Sequence, residues 1–555
     1  MEMRKLLSLI AISFASLLAC AQPAAVKNVG KSVFTLTTYK ADGSLLATSH
    51  GVFVGKDGEA ISSMKPFDGA AKAVATDSKG NKLNVVRILG ANEIYDVIKF
   101  RVDGKTIPAT LATQKEEAGA DVWVAGNAGN AAAPAKNKIR SVETFNGTYP
   151  YYILAQAVQE TAASCPVVNG RGEVMALAQT SQASGDTHAT SAMFANSLTV
   201  TGLSQTDPVL RRIGIAAALP SDYGQAQVAL ALAPQILGES KYEGIVSDFI
   251  EQFPDAPDGY TARAQLRAAQ GNHEDADRDM QTAISKAGNK ADAHFAYARL
   301  MYDNVTANTG RKYGKWNYDK VIEEAQRAYG IDKQPLYQHL QYEAMFMQKK
   351  YQEAYDGFMS LTTTTFRSPA LFHEAALCKK EMGAPADEVM ALIDSAIMTT
   401  DTLRLPEAAP YLMTRASLLE EAGRYRDAVL DYARVQILLN DRLGADFFYK
   451  REQAEIKAKM YGQAISDINQ AIKKDPQEPM YYAEKASLLL RINMKEEAAD
   501  AARQCIGIAP EYGEGYLLLG LAQVHAGKKE EGLANLRRAK ELGEEQADAL
   551  IEKYQ

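Results

Sequence analysis

Acid–base, nucleophilic and metal chemistry draw first on histidine and cysteine, and both are scarce in this chain. Its 555 residues include seven His and four Cys. Residues 26–200 hold two of the histidines, His50 and His188, and His50 reads most simply as a strand residue. After Cys20 the thiols are Cys165, Cys378 and Cys505. Three cysteines in distant segments make no disulfide framework, and each reads as a buried small hydrophobe. No metal site and no cofactor is expected. Net charge is −7, from 61 basic against 68 acidic residues. Nucleic-acid binding normally needs a basic surface, so no such partner is expected. Apolar residues make up 46% and charged residues 23%, which excludes a mainly disordered chain or a multi-span membrane protein. The length is too great for one core and requires several domains or a repeat array.

The elements that would position reactive groups fall into two regimes. Across 26–200, short β-rich runs alternate with turn signals. Val33-Phe34-Thr35-Leu36-Thr37-Thr38-Tyr39 runs into Asp42-Gly43, and Gly51-Val52-Phe53-Val54 into Asp57-Gly58 and then Ala60-Ile61-Ser62. Val74-Ala75-Thr76 leads through Lys79-Gly80-Asn81 to Leu83-Asn84-Val85-Val86. Val122-Trp123-Val124-Ala125 ends at Gly126-Asn127, and Val167-Val168 passes through Asn169-Gly170-Arg171-Gly172 to Val174-Met175-Ala176-Leu177. Asp-Gly and Asn-Gly supply the positive-φ residues of tight hairpins. Many short strands at this spacing predict a barrel or a sandwich.

The order of these pieces resembles the trypsin-like serine peptidases of the HtrA type. Ser49-His50-Gly51-Val52-Phe53 is similar to the family's Gly-Ser-Gly-Phe strand, and the hairpin leading to Ser63-Met64-Lys65 ends where its catalytic His is expected. Tyr95-Asp96-Val97-Ile98-Lys99-Phe100 resembles the catalytic Asp with its following strand. Thr161-Ala162-Ala163-Ser164-Cys165-Pro166 stands where the family has Gly-Asn-Ser-Gly-Gly-Pro. The resemblance covers about 170 residues and implies an all-β double barrel.

Its chemistry departs from the family. Lys65 stands at the His position and Ala163 at the Ser position, and only Asp96 is kept. A serine nucleophile needs a base to take its proton, and the base needs an acid to orient it. Thr161, Ser164 and Cys165 replace glycines of the oxyanion loop, whose backbone must adopt conformations that side chains resist. The domain is therefore expected to be non-catalytic. An alternative stays open: Ser164, one residue past the nucleophile position, with Lys65 as base if burial lowered its pKa, or Cys165 as the nucleophile.

From residue 240 the dominant signal is self-similarity. Asp475-Pro476 recurs as Ala509-Pro510, Ala464 as Ala498 and Gly532, Tyr482 as Tyr516, and Ala486 as Gly520. The step is 34 residues with two helices per unit, which resembles the tetratricopeptide repeat. Ala264, Ala376, Ala416, Ala486 and Gly520 fit a position where two helices approach closely. About eight units begin near residues 257, 291, 335, 368, 409, 445, 479 and 513, after a partial unit at 242–253. An insertion at 304–316 mixes basic and aromatic residues and reads as a solvated excursion with Trp316 tucked back, or as a contact loop. Residues 203–239 read as a helical junction, with helices over 210–216 and 225–237 broken at Pro220. Residues 544–555 read as a capping helix.

By the same resemblance, positions 2, 5, 9, 12 and 13 of each unit face a peptide-binding groove. These include His339, Glu343, Met413, Glu421, Tyr449, Gln453, Lys457 and Arg491. The Lys/Asn set that clamps a C-terminal carboxylate in some family members is not apparent.

At the N-terminus, Arg4 and Lys5 precede an apolar run at residues 6–18. Thirteen helical residues span about 20 Å, short of the roughly 30 Å hydrocarbon core, so residues 1–21 read as a bacterial signal peptide. Ala19-Cys20-Ala21 fits cleavage with soluble release. Leu17-Leu18-Ala19-Cys20 resembles a lipobox that would make Cys20 a lipid anchor. The expected protein is an all-β trypsin-like double barrel at 26–200, a junction at 203–239 and an all-α solenoid at 240–545. Its expected role is that of an exported, periplasmic or envelope-associated scaffold for protein or peptide partners.

Overall fold

The turn signals close hairpins. Asp57-Gly58 joins two paired strands with Gly58 at φ 87°, a conformation that favours glycine. The computed structural model describes residues 23–126, 134–145, 148–180, 186–307, 313–400 and 406–555. The leader with Cys20, and Asn127, lie outside the described residues.

After a short helix α1 (Ala24–Val29) come β1 (Val33–Tyr39), β2 (Leu45–Phe53), β3 (Glu59–Ser62), β4 (Lys72–Thr76), β5 (Lys82–Asn92) and β6 (Val97–Val102). They close an antiparallel barrel in the order β1-β2-β3-β6-β5-β4. β7 (Asp121–Val124), β8 (Ala135–Phe145), β9 (Tyr149–Leu154), β10 (Pro166–Asn169), β11 (Val174–Thr180) and β12 (Thr187–Ser191) close a second. Read from β7, its order is β7-β8-β9-β12-β11-β10, the topology of the first barrel repeated. This is a trypsin-like double barrel, and closure leaves neither sheet a free edge.

Phe34, Phe53, Phe67 and Phe100 fill the first barrel, with Phe34 and Phe53 centroids 4.6 Å apart. A Cβ on Gly51 would stand 2.4 Å from the Phe34 ring and 2.5 Å from the Ile61 carbonyl, so only glycine fits there. Between the barrels, Val33, Val52 and Val97 meet Trp123, Val168 and Val174, and Tyr95 stacks on Phe194 at 4.1 Å.

The junction differs from the helix expected over 210–216. Helix α2 (Pro208–Arg211) stops after one turn. The Gly214 N–H then donates to the Ala70 carbonyl at 2.7 Å, and Ile88 of β5 exchanges hydrogen bonds with Ala216 and Ala218 at 3.0 and 2.8 Å. Barrel pairing captures this stretch as an extended segment, and Ile213 and Ile215 join the barrel core. Helix α3 (Tyr223–Ile236) follows Pro220, then α4 (Glu239–Gln252), whose Asp248 takes a bidentate ion pair from Arg87 of β5, one arm at 2.8 Å. Helices α5 (Pro257–Ala269) and α6 (His273–Lys286) complete this unit, which ends at Gly288.

The second unit, from Asn289, is built of antiparallel helix pairs. They are α7 (Lys290–Thr306) with α8 (Tyr318–Ile331), α9 (Pro335–Met347) with α10 (Tyr351–Leu361), and α11 (Pro369–Glu381) with α12 (Ala386–Thr399). Then come α13 (Ala409–Glu421) with α14 (Tyr425–Leu439), α15 (Ala445–Lys457) with α16 (Tyr461–Lys474), and α17 (Pro479–Arg491) with α18 (Lys495–Ile508). The last pair is α19 (Gly513–His525) with α20 (Lys529–Glu541), against which α21 (Gln546–Tyr554) packs. Proline at the first turn of α9, α11, α13 and α17 fits the position that needs no N–H. Ala376, Ala416 and Ala486 are at most 1% exposed, as close helix approach requires. Trp316 is buried at 4% exposure against Tyr297 and Tyr313, while residues 308–312 of the insertion lie outside the described set.

Candidate functional site

Lys65 opens a 3-10 turn, Lys65–Phe67, that follows β3. Asp96 precedes β6 with φ at 50°, and its Oδ1 accepts the Lys65 backbone N–H at 2.9 Å. Burial raises the Asp96 carboxyl above its ordinary value, against the Lys65 N–H and charge, which lower it. The Lys65 side chain is exposed, whereas a lysine base is made by burial. Structure thus brings Lys65 and Asp96 together through the backbone of one and the carboxylate of the other.

The second barrel supplies the loop that carries Ala163, Ser164 and Cys165. The Ala163 N–H donates to the Glu160 carbonyl at 3.0 Å, closing the 3-10 turn Glu160–Ala162. Oxyanion stabilisation requires such N–H groups to be aimed at substrate. Ser164 is 2% exposed at φ 64°, held there by its N–H to the Ala178 carbonyl at 2.8 Å. A left-handed conformation costs a non-glycine residue about 1–2 kcal/mol. Cys165 is also 2% exposed, and burial pushes its thiol up to about 12, far from the thiolate that a nucleophile needs. Cys378 and Cys505 are buried free thiols as well.

One imidazole does reach this loop, and its spacing in the sequence gave no sign of it. Burial of His50, on β2, lowers its pKa, and the Ala163 backbone beside it works in the opposite direction. Its Nδ1 is buried with no hydrogen-bond partner among the described residues. Nearby, Tyr151 donates to Gln179 Oε1 at 3.2 Å, and Gln179 donates to the Tyr95 carbonyl at 3.4 Å.

In the helical unit the groove candidates separate into two clusters and several isolated residues. His339 and Glu343 sit one turn apart on α9. His339 Nε2 lies 2.8 Å from Glu374 Oε2 of α11, and its Nδ1 lies 3.7 Å from Glu343 Oε2. Burial opposes the imidazolium, but the hydrogen bond and charge of Glu374, with Glu343, outweigh it and raise His339 above its ordinary value. Tyr449 and Gln453 share α15. The Tyr449 ring lies 5.5 Å from Tyr481, and Gln453 Nε2 donates to Glu452 and to Glu484 of α17, both at 2.8 Å. Met413 packs against the apolar core. Glu421 takes Lys380 at 3.0 Å, Lys457 lies over Tyr425 at 5.6 Å, and Arg491 is exposed.

Sequence reading missed Glu374 and Glu484. They lie 35 residues after His339 and 31 after Gln453, off the 34-residue period and outside the positions taken as groove-facing, so the repeat pattern did not mark them. It also missed Glu452 and Glu455, 0% and 3% exposed, whose Oε1 and Oε2 respectively are buried with no partner among the described residues. Burial first, then the charge of Glu484 for one and Asp467 for the other, raises both carboxyls to about 8.

No protein-family model matches the chain. It is similar to the small glutamine-rich tetratricopeptide repeat-containing protein 2 of Mycosarcoma maydis, with 31% identity over 87 residues, 16% of this chain. It is also similar to the protein of that description from Saccharomyces cerevisiae, with 32% identity over 98 residues, 18% of this chain. The chain spans only 25% and 28% of these relatives' lengths. Among solved structures, it is similar to a serine endoprotease from Yersinia pestis at 15% identity and TM-score 0.28, covering 32% of this chain and 64% of that one. An HtrA-type protease solved with a tripeptide gives 16% identity and TM-score 0.29, covering 32% and 62%. The helix pairs are a tetratricopeptide-like region, joined in one chain to a trypsin-like double barrel.

Proposed function

We propose that this chain is a non-catalytic scaffold that binds protein or peptide segments through the first helices of its repeats, with the double barrel as a second binding surface. The observation that carries this reading is Ala163. The residue at the nucleophile position ends at Cβ, and its N–H is spent on the Glu160 carbonyl rather than offered to an oxyanion. Supporting it, Lys65 is exposed, while Ser164 and Cys165 are buried in the loop. Protein partners are supported by the tetratricopeptide-like region, and the net charge of −7 argues against nucleic acid. Export to a periplasm or envelope is part of the same proposal. It rests on Arg4, Lys5 and the apolar run after them, with Cys20 as candidate lipid anchor; palmitate labelling that is lost in Cys20→Ala would mark the anchored form.

Two experiments test the scaffold. A serine-directed fluorophosphonate should leave the full chain unlabelled, and labelling that disappears in Ser164→Ala would overturn the non-catalytic reading. Proteins captured from envelope extract by the wild-type chain should be lost with Tyr449→Ala/Gln453→Ala, and identical capture by both would remove the groove from the account.

A further inference from the structure

We propose that His339, Glu343 and Glu374 form a binding site for a divalent transition-metal ion, for which Zn²⁺ is the probe. One donor atom from each residue lies within 4.8 Å of the other two. Two donors come from α9 at helical spacing i, i+4, and the third from α11 of the next repeat, so packed helices set the geometry. Zinc binds imidazole and carboxylate at about 2.0–2.2 Å, so the side chains must rotate to close on an ion from their present separations. One imidazole with two carboxylates suits a borderline ion, and two carboxylate charges balance a divalent cation.

The surroundings fit a ligand set. The two carboxylates approach different nitrogens of one imidazole, Glu374 at Nε2 and Glu343 on the Nδ1 side, so an ion bound at one nitrogen takes the carboxylate of that side and draws the other round the ring edge. Phe358 and Phe366 lie 5.7 and 5.6 Å from the His339 ring and restrict its orientation, as the shell around a metal ligand does. Arg299 approaches Glu343 at 3.5 Å, and a guanidinium there opposes a cation. Arg299 also pairs with Asp303 at 3.0 Å, so Glu343 can turn to an ion without stranding that charge. The side chains of His339, Glu343 and Glu374 are 18%, 21% and 24% exposed, which leaves a path for the ion and room for water in the remaining coordination positions. This site goes beyond the scaffold reading and does not depend on it.

The test uses the untagged full chain, stripped with chelator and titrated with Zn²⁺ by calorimetry. The expected result is one saturable site per chain, weakened at least about 100-fold in His339→Ala and in Glu374→Gln. The exposed-histidine variant His525→Ala should bind as wild type. Glu374→Gln keeps an acceptor for the imidazole, so a folded protein with lost metal affinity is the expected phenotype, checked by circular dichroism. Co²⁺ gives a second readout on wild type: visible absorption from histidine coordination that disappears in His339→Ala. Absence of saturable Zn²⁺ uptake, or uptake unchanged in both ligand variants, would overturn the site.

Discussion

Asp96 keeps its place in the order of motifs and makes a backbone contact across the first barrel. Its carboxylate ties the turn after β3 to the start of β6 by accepting the Lys65 N–H. Asp96→Ala should cost about 1–2 kcal/mol in urea unfolding, and Asp96→Asn, which keeps an acceptor, less than about 1 kcal/mol. Glu452 and Glu455 carry a second prediction. Their folded pKa of about 8 lies above the ordinary 4.5, so the folded state holds protons that the unfolded state has released. Their contribution is full below about pH 4.5 and is lost as pH rises through about 8. Glu452→Gln/Glu455→Gln should therefore be more stable than wild type at pH 8, by about 1–3 kcal/mol, with no gain at pH 4. Unfolding curves at the two pH values check this. The residue types at Lys65, Asp96 and Ala163 were legible in the sequence because the order of motifs places them. The approach of His50 to the Ala163 backbone was not, since it brings a strand of one barrel to a loop of the other.

Among the elements, hairpins with Asp-Gly or Asn-Gly turns were readable because glycine chemistry marks them locally. Strands β8, β9 and β12 escaped. β8 (AKNKIRSVETF) is largely polar, β9 carries Pro150, and β12 (THATS) is short and lacks large apolar residues, so tertiary pairing rather than pattern defines them. The helix pairs also hide a recurring tie. Arg263 with Asp279, Arg415 with Asp431, and Arg451 with Asp467 each form a bidentate pair across the two helices of one repeat, always 16 residues apart. That fixed spacing was visible in the sequence and went unread because neither partner is apolar. Asp467 is 5% exposed and Arg451 9%, so Asp467→Ala should cost about 3 kcal/mol by leaving the buried guanidinium with only Gln436 at 2.8 Å and Glu455 at 3.8 Å. The double variant Arg451→Met/Asp467→Leu should lose less than that single change. A double-mutant cycle by thermal or urea unfolding decides this, and equal or greater loss in the double variant would mean that the pair itself is strongly stabilising.

At the scale of the molecule, the division into a barrel unit and a helical unit follows from two periodicities, two residues in the strands and 34 in the repeats. The same barrel topology appears twice, and the site-forming segments come from both copies. The strand cores of Phe34, Phe100, Val167 and Val168 do not include Lys65 or Ala163, so the residues at those two positions can vary while the paired strands persist. The most direct test of the non-catalytic reading is hydrolysis of casein and a mixed peptide library by the purified full chain beside Ser164→Ala. Rates at buffer background for both proteins are predicted. Turnover by the wild-type chain that Ser164→Ala abolishes would contradict the account.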